Sequence, residues 1–127
     1  MSRPDDDLQK WFDGLSKKVR SQLSDVVKGE AYDLSAAQLS RLRSLEKPPE
    51  ETGDLEASCR VEPGASEAQF VVLAGGETTT VKGDDHALNF EFGTRKQPAR
   101  SFFWSTYRER AAGIRERIEG AIEKAIK

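Results

Sequence analysis

Apolar residues in the first quarter of the chain recur at the three- and four-residue spacing of an amphipathic helix. They are Leu8, Trp11, Phe12, Leu15, Val19, Leu23, Val26 and Val27. This spacing places the side chains along one stripe, so the segment predicts a long helix with one buried face. The three aspartates at positions 5–7 favour a helix start there, because a helix N-terminus attracts negative charge, and Pro4 limits extension backwards.

The same stripe weakens at Gly29 and then resumes. The pattern predicts either one helix that bends at Gly29 or a second helix that begins near Asp33 or Ser35. Pro48 and Pro49 end the helical region in both cases, because proline interrupts helical hydrogen bonding.

The middle of the chain changes to the two-residue alternation and the short apolar runs that are typical of strands. Four segments carry these patterns, at residues 55–61, 70–73, 78–82 and 88–92. Turns rich in glycine, proline and aspartate separate them, at residues 63–66, 75–76 and 83–85. The spacing predicts a small antiparallel meander of three or four strands, in which residues 88–92 form a half-buried central strand.

After Pro98 the helical spacing returns and continues to the end of the chain. Aromatic residues open this segment, at Phe102, Phe103, Trp104 and Tyr107, and isoleucines and alanines continue its stripe. A helix of about 24 residues extends ~36 Å, which is longer than a small sheet covers. The rest of the stripe requires a second helix, from the same chain or from a neighbouring subunit. We therefore predict one α+β domain over residues 1–127, with a long N-terminal helix, a three- to four-stranded antiparallel sheet and a long C-terminal helix packed on the sheet.

Charge is distributed unevenly along the 127 residues, although the formal net charge is only -2. Residues 1–94 carry 11 basic and 18 acidic side chains, whereas residues 95–127 carry 9 basic and 4 acidic ones. Such polarity favours head-to-tail packing of identical copies. We expect folding in the cytoplasm, because no apolar run approaches the roughly 20 residues of a membrane span and the first residues lack the apolar core of a secretion signal.

The chain offers little of the chemistry that catalytic or metal sites need. Cys59 is the single cysteine and His86 the single histidine, so the sequence predicts no cysteine-based metal cluster and no zinc site of ordinary spacing. Glu91 is the best candidate for an acid, and we expect it to form a structural ion pair with Arg95 or Arg100. The sequence therefore predicts no enzymatic activity, no metal and no cofactor.

The basic last third of the chain keeps two other functions open. Its arginines and aromatic residues together are a composition also found on nucleic-acid-binding surfaces, although four acidic residues dilute the charge. No helix-turn-helix or RNA-binding sheet signature is present. A DNA-binding accessory protein that uses the last helix is one alternative, and a small hydrolase that uses Glu91 and His86 is a more distant one.

Two segments resemble the signatures of a family of small phage morphogenesis proteins. The first is similar to the pattern Pro-x-x-Thr-Gly-x-Leu-x-x-Ser and reads Pro49-Glu50-Glu51-Thr52-Gly53-Asp54-Leu55-Glu56-Ala57-Ser58. The second consists of His86-Ala87, Glu91-Phe92-Gly93-Thr94, Pro98-Ala99-Arg100 and Phe102-Phe103. In this order and spacing, the two segments resemble the neck and tail-completion proteins of tailed bacteriophages, the family related to the minor tail protein Z of phage lambda.

The residue types of these signatures also solve local folding problems. We expect Phe92 to anchor the core, Gly93 to allow the turn and Thr94 to satisfy the loop backbone. Thr52 and Gly53 are expected to form a turn between helix and strand.

Two residues depart from the family pattern. His86 stands where the family usually has tyrosine, and Ser101 where it usually has proline. The aromatic hydroxyl and the rigid helix start are therefore not expected here. We expect Ser101 to cap the last helix instead, because serine hydroxyls accept hydrogen bonds from the first helical amides.

The resemblance implies a structural protein of the virion, without catalysis. Its expected place is the head–tail junction or the top of the tail tube, in a sixfold, non-covalent ring that completes the tail and joins it to the head. The implied partners are other copies of the chain, other phage neck proteins and the tail tube protein, with no membrane. DNA is expected to pass through the ring lumen without specific recognition. Arg95, Lys96 and Arg100 are expected, together with the last helix, to contact adjacent subunits or neighbouring rings.

Overall fold

The computed structural model describes residues 4–46, 53–81, 83–96 and 98–126. In chain order the helices are α1 (Pro4–Asp13), α2 (Lys17–Leu45), α3 (Asp54–Ser58), α4 (His86–Phe92) and α5 (Trp104–Ile126). The strands are β1 (Arg60–Pro63), β2 (Phe70–Leu73), β3 (Thr80–Val81) and β4 (Asp84–Asp85), and a short 3-10 turn covers Glu77–Thr79. The predicted α+β class, with long helical regions at both ends, is confirmed.

The N-terminal helical region is interrupted at residues 14–16 and not at Gly29. Helix α1 starts at Pro4, as predicted. Ser16 then starts a new helix, because its hydroxyl accepts a hydrogen bond from the amide of Val19. The break frees α1 to take a direction different from that of α2.

Helix α2 continues for 29 residues through Gly29. Of the two predictions for this region, a second helix from Asp33 or Ser35 is therefore wrong, and a single helix that runs through Gly29 is confirmed, while its bend stays a prediction. A glycine in a helix interior costs only about 1 kcal/mol relative to alanine, and the buried side chains of Ala31 and Leu34 outweigh that cost. The prolines that were expected to end the helix lie outside the described residues.

Helix α3 replaces the first part of the predicted strand at residues 55–61. Leu55 and Ser58 are buried and Cys59 is half-buried, whereas Ala57 is exposed. Leu55, Ser58 and Cys59 are three and four residues apart and therefore lie on one face of a helix. The two-residue alternation that predicted a strand was misleading here. Strand β1 begins only at Arg60.

Helix α4 replaces the central strand that the sequence predicts. The alternation put Leu88, Phe90 and Phe92 on one face, but in a helix Leu88 and Phe92 lie one turn apart and Phe90 points away from them. Phe90 is accordingly 7% exposed, whereas Phe92 is 63% exposed. Asp85 caps the helix by accepting a hydrogen bond from the Ala87 amide at 2.9 Å.

In the part of the chain that the structure describes, the strands form two separate two-stranded antiparallel sheets and not one larger meander. β1 pairs with β2 in a register that places Val61 opposite Val72. The predicted turn between them is confirmed, and the Gly64 amide closes it by donating to the Gln69 carbonyl at 2.7 Å. β3 pairs with β4 in the same antiparallel sense.

Helix α5 packs along α2, which corrects the prediction that it lies on the sheet. α2 contacts both α5 and the β1–β2 hairpin. The side-chain amide of Gln38 donates to the Phe103 carbonyl at 3.0 Å, and Arg117 pairs with Glu30. A four-residue strand spans only ~13 Å, so the 23-residue stripe of α5 finds a matching surface only on a long helix.

The core lies where α2, α3, α4 and the start of α5 meet. A cluster of buried side chains fills it, namely Leu42, Leu55, Ala87, Phe90 and Phe102. The rings of Phe90 and Phe102 pack edge-on with 5.7 Å between their centroids. Burying each ring stabilises the fold by about 1.5–3 kcal/mol, so this cluster fixes the start of α5 against α4.

Both long helices, α2 and α5, carry charged residues throughout. No helix within the described ranges has the combination of length and apolar character that crossing a lipid bilayer requires.

Candidate functional site

The second signature folds around the side chain of Glu91, which caps the N-terminus of α5. Its Oε1 accepts hydrogen bonds from the backbone amides of Phe102 at 2.9 Å and Phe103 at 2.8 Å. Its Oε2 accepts from the Trp104 amide at 3.0 Å and from the Ser101 hydroxyl at 2.5 Å. The first amides of a helix have no partners within the helix and favour negative charge, so one carboxylate stabilises the whole helix start.

The environment of Glu91 keeps its carboxyl group charged. Burial alone raises the pKa, because only 5% of the residue is exposed to solvent. The Ser101 hydroxyl and the three backbone amides act in the opposite direction, since they bond to the charged form, and together they hold the pKa of Glu91 below its usual range. The partners of Glu91 are thus neutral donors, whereas the sequence predicted an ion pair with Arg95 or Arg100.

Further bonds join the segment before α5 to α4. The Arg100 amide donates to the Phe90 carbonyl at 2.8 Å. The Ser101 hydroxyl, besides donating to Glu91, accepts a hydrogen bond from the Ser105 amide at 3.3 Å. The expected capping role of Ser101 is confirmed, and the start of α5 is held by two side chains that bond to each other.

The Glu-Phe-Gly-Thr segment has two of the three predicted structural roles. Gly93 ends α4 with a φ of +81°, a conformation that favours glycine, and Thr94 accepts a hydrogen bond from the Lys96 amide through its hydroxyl. The prediction that Phe92 anchors the core is wrong, because the ring is mostly exposed. Phe90 and Phe102 anchor the core instead.

The three basic residues predicted at an interface have different surroundings. Arg95 and Lys96 are exposed, as is the nearby Pro98. The guanidinium of Arg100 lies 3.9 Å from the centroid of the Phe90 ring and donates to the Leu45 carbonyl at 3.1 Å. Arg100 therefore packs against the edge of the core, while Arg95 and Lys96 are exposed at the surface.

Large apolar side chains are exposed around this capped junction. We call them the aromatic patch: Leu88, Phe92, Trp104 and Tyr107. The rings of Trp104 and Tyr107 contact each other edge-on, with 6.1 Å between centroids. Leu88 and Phe92 lie one turn apart on α4, which the Glu91 carboxylate joins to the start of α5. Exposed apolar residues grouped on joined elements in this way are typical of surfaces that bind other molecules. The amphipathic patterns hid this patch, because they assigned its members to buried faces.

Besides the core contacts of Leu55, Gly75 links the two signatures. The hydroxyl of Ser58, at the end of the first signature, accepts a hydrogen bond from the Gly75 amide at 2.8 Å. Gly75 has a φ of +84°, and a Cβ there would lie 2.7 Å from that of Ala87 in α4. Within the first signature, Gly53 precedes α3 and Leu55 is buried. Thr52 lies outside the described residues.

Catalytic or metal-binding groups do not converge at this junction. His86 is exposed at the start of α4, and Glu91 is fully engaged as a cap. Among the described residues, no group of three or more histidine, cysteine, aspartate and glutamate side chains is placed to hold a metal ion. Cys59 is half-buried, and burial raises the pKa of its thiol.

A second surface feature lies near the opposite end of α5, and we call it the N-terminal groove. It has a volume of about 390 Å³. Its walls come from α1 (Leu8, Trp11, Phe12), α2 (Leu23, Val26, Val27), the β1–β2 turn (Ala68, Gln69) and α5 (Ile118, Ile122). The Ser24 hydroxyl donates to the Glu67 carbonyl at 2.7 Å and holds the turn against α2. The apolar pattern of the sequence does not reveal this groove, because the groove depends on the break between α1 and α2.

Comparison with protein-family models, with curated proteins and with solved structures finds no match for this chain. The chemistry and shape of the aromatic patch and of the groove are therefore the basis for assigning a function.

Proposed function

We propose that this chain is a structural protein of a tailed-phage virion. Copies of it associate non-covalently into a ring, at the head–tail junction or at the top of the tail tube. The ring completes the tail and joins it to the head, with other neck proteins and the tail tube protein as neighbours. DNA passes through the lumen of the ring and is not recognised by sequence.

The observation that carries this proposal is the aromatic patch on a rigid support. Described residues of both signatures meet at one junction, where Glu91 binds the start of α5 and Gly75 brings Ser58 of the first signature against α4. They support a surface on which Phe92 and Trp104 face solvent. A fixed apolar surface beside unreactive polar groups suits permanent protein–protein contact and does not suit catalysis.

The loop that follows α4 supplies charge at the edge of this surface. Arg95 and Lys96 are exposed next to the patch in sequence. Charged residues at the rim of an apolar contact steer association and fix its register. We assign Arg95 and Lys96 to contacts with adjacent subunits or rings, while Arg100 supports them from the core edge.

Two measurements test the proposal. Light scattering gives the mass of the purified protein, and antibody labelling with electron microscopy locates it in intact particles. A ring in solution, or a defined position at the neck, supports the proposal. A protein that is monomeric and absent from particles overturns it, and salt-dependent binding to duplex DNA would then favour the DNA-binding alternative.

Charge reversal tests the role of the basic loop. An Arg95→Glu/Lys96→Glu variant should impair ring formation or the joining of heads to tails, because it replaces two rim charges of one sign with the other. Lys18→Glu, an exposed lysine in the first turn of α2, is the matched control. If the double variant assembles and joins tails as well as the control does, the loop has no role in assembly.

A further inference from the structure

The N-terminal groove is an apolar surface with no occupant from the described part of its own chain. Leu8 is 64% exposed and Trp11 41% exposed, although both line it. Side chains of this kind are normally removed from water, and here they form the wall of a concavity. Its shape and lining require a bulky apolar occupant.

The aromatic patch of the same molecule cannot be that occupant. Trp104 begins α5, and Ile122 lines the groove near the end of the same helix. Eighteen residues of helix separate them, which is ~27 Å along a rigid axis. An aromatic patch that enters this groove therefore belongs to a different molecule.

Charge around the two surfaces is complementary. Six acidic residues directly adjoin groove-lining residues in sequence, namely Asp7, Asp13, Asp25, Glu67, Glu119 and Glu123. Three basic residues do so, namely Lys10, Lys28 and Arg117, and Arg117 is paired with Glu30. Within four residues of a patch member in sequence, Arg95, Lys96, Arg108 and Arg110 are exposed basic residues and Glu109 is an exposed acidic one, so the charge near the patch is basic on balance. Opposite charge at the rims brings the two apolar surfaces together in one orientation.

We propose that the N-terminal groove binds the aromatic patch of a second copy of this chain. The contact is heterologous, because each copy contributes a different surface, so every copy keeps one free groove or patch for the next. Such head-to-tail contacts close into rings when the rotation between copies permits it. This inference rests on the proposed function, since it names the surfaces through which the ring forms.

A mixing experiment with two complementary variants tests the contact. Leu8→Lys places a positive charge in the groove, opposite the basic rim of the incoming patch, and leaves its own patch intact. Phe92→Ser/Tyr107→Asp removes two patch rings and leaves the groove intact; aspartate is compatible with position 107, which lies in the first turn of α5. All substituted side chains are exposed, so circular dichroism should show folded proteins.

Sedimentation of each variant alone should give single chains at concentrations where the wild-type protein forms larger assemblies. The equimolar mixture should give a complex of twice the 14.1 kDa of one chain that does not grow further, because only one intact groove and one intact patch remain per pair. Tyr32→Asp, on an exposed position of α2 outside both surfaces, should assemble like the wild type.

Other outcomes overturn the inference. A groove variant or patch variant that assembles like the wild type shows that the ring uses other surfaces, and a mixture that stays monomeric near millimolar protein shows that groove and patch do not bind. A patch variant that dimerises alone shows a groove-to-groove contact. Electron microscopy of the wild-type protein in particles tests the proposed function separately, so the two failures are distinguishable.

Discussion

At the scale of single residues, Glu91 connects two helices that are not adjacent in sequence. Its carboxylate occupies the end of α5 where amides are unpaired, and its backbone belongs to α4. A carboxylate at this place stabilises the helix through hydrogen bonds and through the helix dipole. The same residue in an exposed strand, as the alternation suggested, would have neither effect.

Removing the charge of Glu91 should lower the free energy of unfolding. In Glu91→Gln one acceptor oxygen becomes an NH₂ group, which leaves a buried amide or the Ser101 hydroxyl without its acceptor, so we expect a loss of about 1–3 kcal/mol. Urea unfolding monitored by circular dichroism at neutral pH measures this loss of stability. Glu119→Gln, at an exposed position of α5, should change stability by less than about 0.5 kcal/mol. Equal effects of the two substitutions would contradict the capping role.

The contribution of Glu91 should also depend on pH. Its pKa in the folded protein lies below the usual carboxyl value of 4.5, so the unfolded chain binds the proton more tightly. The stability from Glu91 is therefore fully present above about pH 4.5 and is lost as the pH falls through the lower folded value. The stability difference between wild type and Glu91→Gln should therefore shrink as the pH falls below about 4.5. Urea titrations at each pH measure this difference, and a difference that stays constant would refute the linkage.

At the scale of elements, Gly29 and Gly75 differ in what an added side chain would meet, so alanine should have opposite effects at the two positions. Gly29 lies inside α2, where an added Cβ meets nothing within 4 Å, so Gly29→Ala should stabilise the protein by about 0.5–1 kcal/mol. Gly75→Ala should destabilise it by about 1–3 kcal/mol, because its φ is positive and its Cβ would collide with Ala87. Thermal or urea unfolding of both variants tests this pair. Destabilisation by Gly29→Ala would indicate a bend at that position.

The long elements follow from the sequence, and the short ones do not. The start of α1 and the full course of α5 rest on patterns repeated over several turns, which leave few alternatives. In α4, the alternation of Leu88, Phe90 and Phe92 fits a strand as well as a helix. The contact between Phe90 and Phe102 decides between them, and that contact depends on residues ten or more positions away. The capping role of Glu91 could not be predicted from the sequence for the same reason, because Glu91 precedes its partners by 10 to 13 residues.

At the scale of the whole molecule, the uneven charge distribution concerns two surfaces. Acidic residues prevail near the N-terminal groove in sequence, and basic residues prevail near the aromatic patch. Association of copies should weaken when sodium chloride is raised from about 0.1 M to about 1 M, because the Debye length falls from about 10 Å to about 3 Å. Sedimentation equilibrium at each salt concentration measures the association constant. Arg108→Glu should reduce both association and its dependence on salt. If association instead strengthens with salt, burial of apolar surface drives the contact and charge does not steer it.

The packing of the whole chain was only partly predictable. A stripe as long as that of α5 demands another helix, and the sequence left open whether this helix comes from the same chain. α2 supplies this helix, so the apolar stripe of α5 packs against an element of its own chain. The pattern also missed two features of the packing. The apolar stripe continues through Leu15, although α1 ends before it, and the alternation placed Phe92 on a buried face, although the ring is exposed.

The bonds around Glu91 also give the molecule a mechanical property. One carboxylate bonds to three successive amides at the start of α5, and the Arg100 amide bonds back to α4, so the end of α4 and the start of α5 are bound directly to each other. A force applied to α4 acts on α5 as on a stiff rod, and the far end of that rod forms a wall of the N-terminal groove. In the ring that we propose, strain at one contact of a copy is thereby transmitted to its other contact, and the ring responds to load as a unit.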